Sequence, residues 1–421
     1  MKLPSSLRAL HYRNFLLYLS GQSISLIGTW MQRMAVSWLV YEMTHSAFML
    51  GLVAFASRIP MMFLSPYAGA YVDRHSRYRT LLVTQFASML QAGLLAFVVL
   101  TNQYNIVIII LLNIMLGVIN AFDAPSRQSL KIVLVQNKSD LPNAIALNST
   151  MVTLARLVGP AVAGILLSTV GEGICFLINF LSFIAVITTL LMMKIKVPPK
   201  VKHVEHIWQN LSQGFTYLKR KPGLKNAIIL MAMLSFIIMP YVTLLPIYAK
   251  TVFKGDVTTF GWLNAISGLG ALMGAIYVAR LHTERNLLKV MIGAGLLISV
   301  SLVLFSYITY LPLSLVLIMV GEAGLLTFIA STNTYLQTHV EEKMRGRVIS
   351  YYVMAFGGML PLGSLAVGLL AHLTSAPFTV LVEGLAGVII LFSFIPAFKK
   401  TTKRAEEKML RLAKQNNGIN F

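Results

Sequence analysis

GAYVDRHSRYR, residues 69–79, puts one carboxylate and three arginines into eleven positions between two long apolar runs. The rest of the chain explains the contrast. Of its 421 residues, 57% are apolar and 12% charged, with a mean hydropathy of +0.74. Soluble domains carry about 25% charged residues, so this composition belongs to a protein that crosses a membrane many times. One cysteine, Cys175, excludes an internal disulfide and any cysteine-based metal cage. His339 and His372 have no companions at metal-ligand spacing, so no metal or other cofactor is assigned.

A helix needs about 20 mostly apolar residues to cross the hydrocarbon core. Twelve stretches meet that rule: 15–42, 48–72, 80–101, 105–126, 143–169, 173–194, 223–249, 258–280, 287–308, 312–336, 349–372 and 377–398. The basic segment 1–14 precedes a run too long for a signal-peptide core, which reads as the first span, retained. The longest gap divides the spans into two sets of six. The expected organisation is an all-α membrane protein of twelve transmembrane helices in two pseudo-symmetric six-helix bundles. Residues 1–194 and 223–398 form the bundles, 195–222 a cytoplasmic linker, and 399–421 a basic cytoplasmic tail.

The net charge of +21 raises the question of nucleic acid, and the positions of the charges decide it. With the N-terminus placed in the cytoplasm, 30 of the 35 lysines and arginines fall in the termini and the loops on that side. Two, Lys250 and Lys254, fall opposite, and three, Arg33, Arg58 and Arg156, fall inside spans. Cytoplasmic loops carry such an excess of cations. The charge therefore expresses topology, with both termini cytoplasmic, and not a nucleic-acid footprint. Trp208, Leu211, Phe215 and Leu218 recur at helical spacing in the linker and end on Lys219, Arg220 and Lys221. They read as an amphipathic helix on the membrane face, and the basic tail as a contact for anionic lipid.

In residues 69–79, Gly69 permits a close helix approach. Asp73 at a helix end accepts hydrogen bonds, and Arg74, Arg77 and Arg79 hold the loop at the headgroups. The spacing of these five residues resembles the loop signature between spans two and three of the major facilitator superfamily, with Tyr71 replacing a leucine and Ser76 a glycine. The second half repeats it weakly: Arg280 and Arg285 stand opposite Arg74 and Arg79, and Ala279 opposite Asp73. ARLVGPAVAG, 155–164, resembles the glycine–proline motif of proton-coupled efflux members through Gly159, Pro160 and Gly164. There, Pro160 frees a carbonyl and lets the helix bend. GTWMQRMAVSWLVYEMTHS (28–46), DAPSRQ (123–128) and EEKMRGRV (341–348) are similar to the branch holding enterobactin exporters and macrolide-type drug efflux proteins.

The resemblance implies spans one, four, seven and ten around a central cavity, and a monomer in the bacterial inner membrane. It also implies a gate made of the 69–79 loop with Asp123, Arg127, Gly159 and Pro160. Ionisable groups at mid-span are functional candidates in their own right. Arg33, Arg58 and Arg156 lie near the midplane, and so does Glu322, the proton-coupling candidate. Glu383 sits closer to a span end and reads as reaching the interface. Three deep cations against one deep acid suggest an anionic or polyhydroxylated substrate, such as a siderophore, held by arginine hydrogen bonds. Asn120, Tyr241 and Asn333 complete the candidate substrate contacts, and Tyr248 reads as an interface anchor. No nucleophile–base cluster or P-loop appears, so an enzyme and an ATP-driven pump are both disfavoured. A proton-coupled exporter is the leading expectation, with a multidrug or macrolide pump as the alternative.

Overall fold

A computed structural model describes residues 5–195, 207–281 and 286–416. Residues 196–206 of the linker, Arg285 and the last five residues of the tail lie outside it. The chain is all-helical among the described residues, with ten helical segments long and apolar enough to cross a membrane.

Helix α1 (Arg13–Thr44) is followed by α2 (Ala47–Ala56) and α3 (Ile59–Arg74), separated by a short break at Ser57 and Arg58. Then come α4 (Arg77–Leu100), α5 (Ile106–Leu134) and α6 (Leu141–Leu191). Short polar residues start many of these helices by accepting from exposed backbone N–H groups. Ser46 caps α2, Ser76 caps α4 through the N–H of Arg79, and Asn105 caps α5. Ser76 thus has a reason to stand where the superfamily signature carries glycine. The 51 residues of α6 contain one non-helical residue, Gly171, with φ 80° and ψ 178°. That left-handed region suits glycine, and the two apolar runs read from the sequence join there with almost no loop.

The second set begins after α7 (Ile207–Arg220) with α8 (Pro222–Ile237). Its continuation leaves α-geometry twice. A 3₁₀ segment (Met239–Leu244) containing Pro240 leads to one turn, α9 (Leu245–Ile247), and then a π segment (Tyr248–Val252). Helices α10 (Val257–Ala279), α11 (Leu287–Tyr307) and α12 (Leu311–His339) follow. Next come α13 (Arg345–Val353), a π segment (Met354–Gly358), α14 (Met359–Leu373) and α15 (Ala376–Asn416). Asp256 caps α10 and Asn286 caps α11.

Within the first set, α1 and α4 pack along α6; within the second, α10 and α11 pack on α12, and α15 on α11. A buried amide chain stitches the first set together: Asn179 donates to Gln32 at 2.7 Å, Gln32 to Gln91 at 2.9 Å, and Gln91 to the carbonyl of Leu112 at 3.2 Å. Such links replace the hydrophobic drive that lipid removes.

The two sets meet chiefly through α2 on α14 and α6 on α10. Small residues allow it. A Cβ on Gly368 would stand 2.8 Å from the Cα of Gly51, and one on Gly261 would stand 2.9 Å from the Cα of Gly164. Both pairs lie near the end where α1 stops and α2 starts, called here the far end. The opposite, basic end carries the 74–79 turn. At the far end Lys250 pairs with Glu42 at 3.0 Å and lies over the ring of Trp38, which stacks on Phe260.

Helix α7 lies within the linker. It docks on protein: the Tyr351 hydroxyl donates to the carbonyl of Leu211 at 2.9 Å, Leu218 is buried, and Lys221 pairs with Glu341 at 3.3 Å. Phe215, beneath Lys219, remains exposed.

Candidate functional site

The mid-depth seam between the sets is polar. Arg156 on α6 donates from Nη2 to Glu322 Oε2 on α12 at 2.9 Å. The other carboxylate oxygen accepts from the Tyr241 hydroxyl at 2.7 Å. Glu322 is 1% exposed, so its charge is satisfied by partners and not by water. Tyr241 lies in the 3₁₀ segment and is buried. Three segments therefore converge on one carboxylate, and only one belongs to the first set. Gly268 of α10 backs the site, where a Cβ would lie 3.1 Å from the carbonyl of Arg156.

Arg33 has a different neighbourhood. Its guanidinium lies over the Trp30 ring, 4.8 Å from the centroid, while Arg156 faces the same ring at 6.0 Å. Trp30 is held against α6, where a Cβ on Gly159 would meet its Cβ at 2.5 Å. Arg58 stands at the α2–α3 break. Arg33 and Arg58 are both exposed. Among the described residues neither makes an ion pair. Two unneutralised guanidiniums thus stand beside one neutralised pair. Glu322 is buried against Arg156.

Asp123 ties helices together. Thr84 and Gln85 of α4 donate to its Oδ1 at 2.9 and 2.6 Å, and Arg127 pairs with Oδ2. Among the described residues it makes no hydrogen bond or ion pair with the 69–79 loop. Asp73, Arg74 and Arg79 are exposed, and none of these or Arg77 makes an ion pair among the described residues. Gly69 has nothing within 4 Å of a built Cβ. The loop's recorded link to α5 is aromatic, with Tyr71 edge-on to Phe122 at 5.7 Å and stacked on His75 at 4.0 Å. Pro160 is buried within α6, its carbonyl 3.5 Å from a Cβ built on Gly261.

The remaining candidates scatter. Asn120 on α5 is half-buried. Asn333 lies toward the basic end and accepts from Gln337 at 3.1 Å. Asn113 is turned onto its own helix, donating to Ile109 at 2.8 Å. Two expectations are corrected. Tyr248 is fully buried, stacked on Phe305 at 4.5 Å, so it anchors no interface. Glu383 is 3% exposed and reaches no interface either, because α15 presses that turn against α11. Sequence position alone could not find it, since a residue near a span end looks wet until its neighbours are known.

The described chain is all-helical, with membrane-length apolar helices and a buried ion pair joining α6 to α12. The chain belongs to the transmembrane secretion effector family, whose profile matches residues 5–416. It is 25% identical over 397 residues to the staphyloferrin A transporter of Staphylococcus aureus, covering 93% of this chain and 98% of that one. It is also 25% identical over 330 residues to the enterobactin exporter of Shigella flexneri, covering 77% of each. Macrolide efflux protein A of Streptococcus pyogenes shares 20% identity, covering 84% of this chain and 88% of that one. A solved nucleoside transporter superposes with a TM-score of 0.75 at 14% identity, covering 92% of this chain and 100% of that one. A bacterial homologue of the iron transporter ferroportin, in an inward-facing state, gives 0.73 at 16% identity over 92% and 98%. The protein is thus a multi-pass membrane transporter of small molecules, and not an enzyme.

Proposed function

We propose that this transporter exports an anionic or polyhydroxylated small molecule, such as a siderophore, by proton-coupled alternating access. Counting α1 and dividing α6 at Gly171 gives twelve spans in two six-helix bundles, 1–194 and 223–398. The basic end then faces the cytoplasm of a bacterial inner membrane, with both termini on that side.

One observation carries the substrate class. Arg33 and Arg58 are accessible at mid-depth without a counter-ion, whereas Arg156 is already neutralised by Glu322. A low-dielectric opening with surplus guanidinium favours an anion through charge-assisted, paired hydrogen bonds. The names of the staphyloferrin A and enterobactin relatives agree with that class. In this reading Arg33 and Arg58 bind first, and Arg156, Tyr241, Asn120 and Asn333 contribute as the cavity reshapes. Glu322 takes a proton when Arg156 leaves it for substrate, which links the two cargoes. The gate consists of Gly69, Asp73, Arg74, Arg77 and Arg79 with Asp123, Arg127, Gly159 and Pro160. Its charged loop is unpaired while the far end is packed, as expected of a transporter open to the cytoplasm.

The second reading is a macrolide or multidrug pump, favoured by the drug-efflux relatives and by the exposed Met61, Met62 and Phe63 below Arg58. Uptake into inside-out vesicles under an imposed pH gradient separates the two. A catecholate or carboxylate siderophore and a lipophilic cationic dye are compared, for wild type and Arg33→Ala. Anion uptake that is lost in the variant supports the exporter; dye uptake indifferent to Arg33 assigns a drug pump.

A further inference from the structure

Glu383 has a surrounding unlike that of any other carboxylate described. It lies about 10 Å into α15 from Ala376, at 1.5 Å per residue. Among the described residues neither of its oxygens has a hydrogen-bond partner, and both are inaccessible. The turn that carries it is packed tightly on α11, where Cβ atoms on Gly384 and Gly387 would crowd Val303 and Ser299. Tyr248, whose hydroxyl is likewise buried and unpartnered, stacks on Phe305 of α11, one half-turn from the Val303 against which Gly384 packs. Tyr248 and Phe253 pack on Phe305, closing an aromatic roof over this corner. From the other packed elements, Tyr307 at the end of α11 and His372 of α14 are exposed. Among the described residues no cation pairs with it: Lys250 is turned to Glu42, Lys254 is exposed, and Lys289 and Lys399 lie at the basic end.

An ionised carboxylate buried without partner or water costs many kcal/mol, and such a group takes up a proton instead. We propose that Glu383, beneath Tyr248, is a proton-binding site that is occupied while the far end is closed and exchanges with the far-side solution when it opens. The cover supplies the link. Tyr248 and Lys250 lie two residues apart on the same π segment, and Lys250 holds the far end shut through Glu42 and Trp38. Separating the two sets there must move that turn, lift Tyr248 and wet Glu383. A proton bound in one state and not the other biases the equilibrium by mass action. The closed state binds the extra proton, so acid favours closure and its advantage is lost as the pH rises. One proton changes the closed-to-open ratio by at most about tenfold per pH unit.

This inference rests on the alternating-access reading, and the test separates them because it uses no substrate and no gradient. Cys175 is replaced by alanine, and a reporter cysteine is placed at Val257, which is buried at the far-end seam. Its maleimide labelling in nanodiscs is taken relative to a second protein carrying the reporter at exposed Thr374, which removes the intrinsic pH dependence of the thiol. The ratio should rise severalfold from about pH 6 to about pH 8 in the parent protein, within that limit. In Glu383→Gln it should stay at the low, closed value throughout. An unchanged pH slope in Glu383→Gln overturns the proton site. Failure to label at any pH, even with Glu42→Gln added to loosen the seam, overturns alternating access and the proton site with it. Should Glu383→Gln not fold, the infrared carbonyl band of a protonated carboxylic acid decides: present in the parent at neutral pH, it supports the site, and absent, it refutes it.

Discussion

Removing either partner of the Arg156–Glu322 pair should have unequal effects, and the inequality can be worked from the contacts. Arg156→Ala leaves a carboxylate that is 1% exposed with one remaining hydrogen bond, from Tyr241. Stranding one member of a buried pair costs about 3–5 kcal/mol. In Glu322→Gln the amide oxygen still accepts from Tyr241. Arg156, whose side chain is 29% exposed and faces the Trp30 ring, retains access to water. That loss should be about 1.5–3 kcal/mol, the scale of one hydrogen bond with a charged partner. The double variant no longer buries a lone charge, so it should resemble Glu322→Gln alone, giving a coupling of about 3–5 kcal/mol between the sites, the whole cost of Arg156→Ala. Reversible unfolding in mixed micelles measures all four proteins. Equal single effects that simply add in the double variant would refute the claim that this pair joins the two sets.

Three other outcomes follow from the geometry. Asp123→Asn keeps the size of a side chain that accepts from Thr84 and Gln85 but removes its charge from Arg127; a loss of about 1–3 kcal/mol in the same unfolding assay is expected. Lys250→Ala breaks a pair that is more than one-third exposed, so stability should change by under about 1 kcal/mol while labelling at the Val257 reporter rises. Gly164→Val drives a side chain into Gly261, whose Cα is already 3.0 Å from a built Cβ; the far-end seam should open and label strongly, and labelling like the parent's would show that α6 and α10 need not touch.

Much of the helical layout was legible because apolar runs of membrane length are interrupted by residues that also cap helices, as Ser46, Ser76, Asn105, Asp256 and Asn286 do. The mid-span charges were legible for the same reason: they break a composition rule. Their partners were not. Arg156 and Glu322 are 166 positions apart, and no spacing rule reaches that far. Glu383 and Tyr248 were read as interfacial because depth along one helix says nothing about which neighbours cover it. The amphipathic linker helix showed its apolar face in sequence, but lipid and protein are equally apolar partners for such a face. The amide chain of Gln32, Gln91 and Asn179 gave no signal at all, since single uncharged polar residues in a span are common.

The turn at Gly171 has a mechanical meaning. Two membrane-length rods meet there through one residue outside helical geometry, leaving no slack for one to slide along the other. The first rod carries Arg156 and touches α10; the second is fastened to α1 and α4. Whatever displaces Arg156 is therefore felt at once by the scaffold on the opposite side of the bundle, as a yoke passes the pull of one arm to the other. Lengthening that corner with a few glycines would install play in the yoke, and cargo binding and gate position would fall out of step.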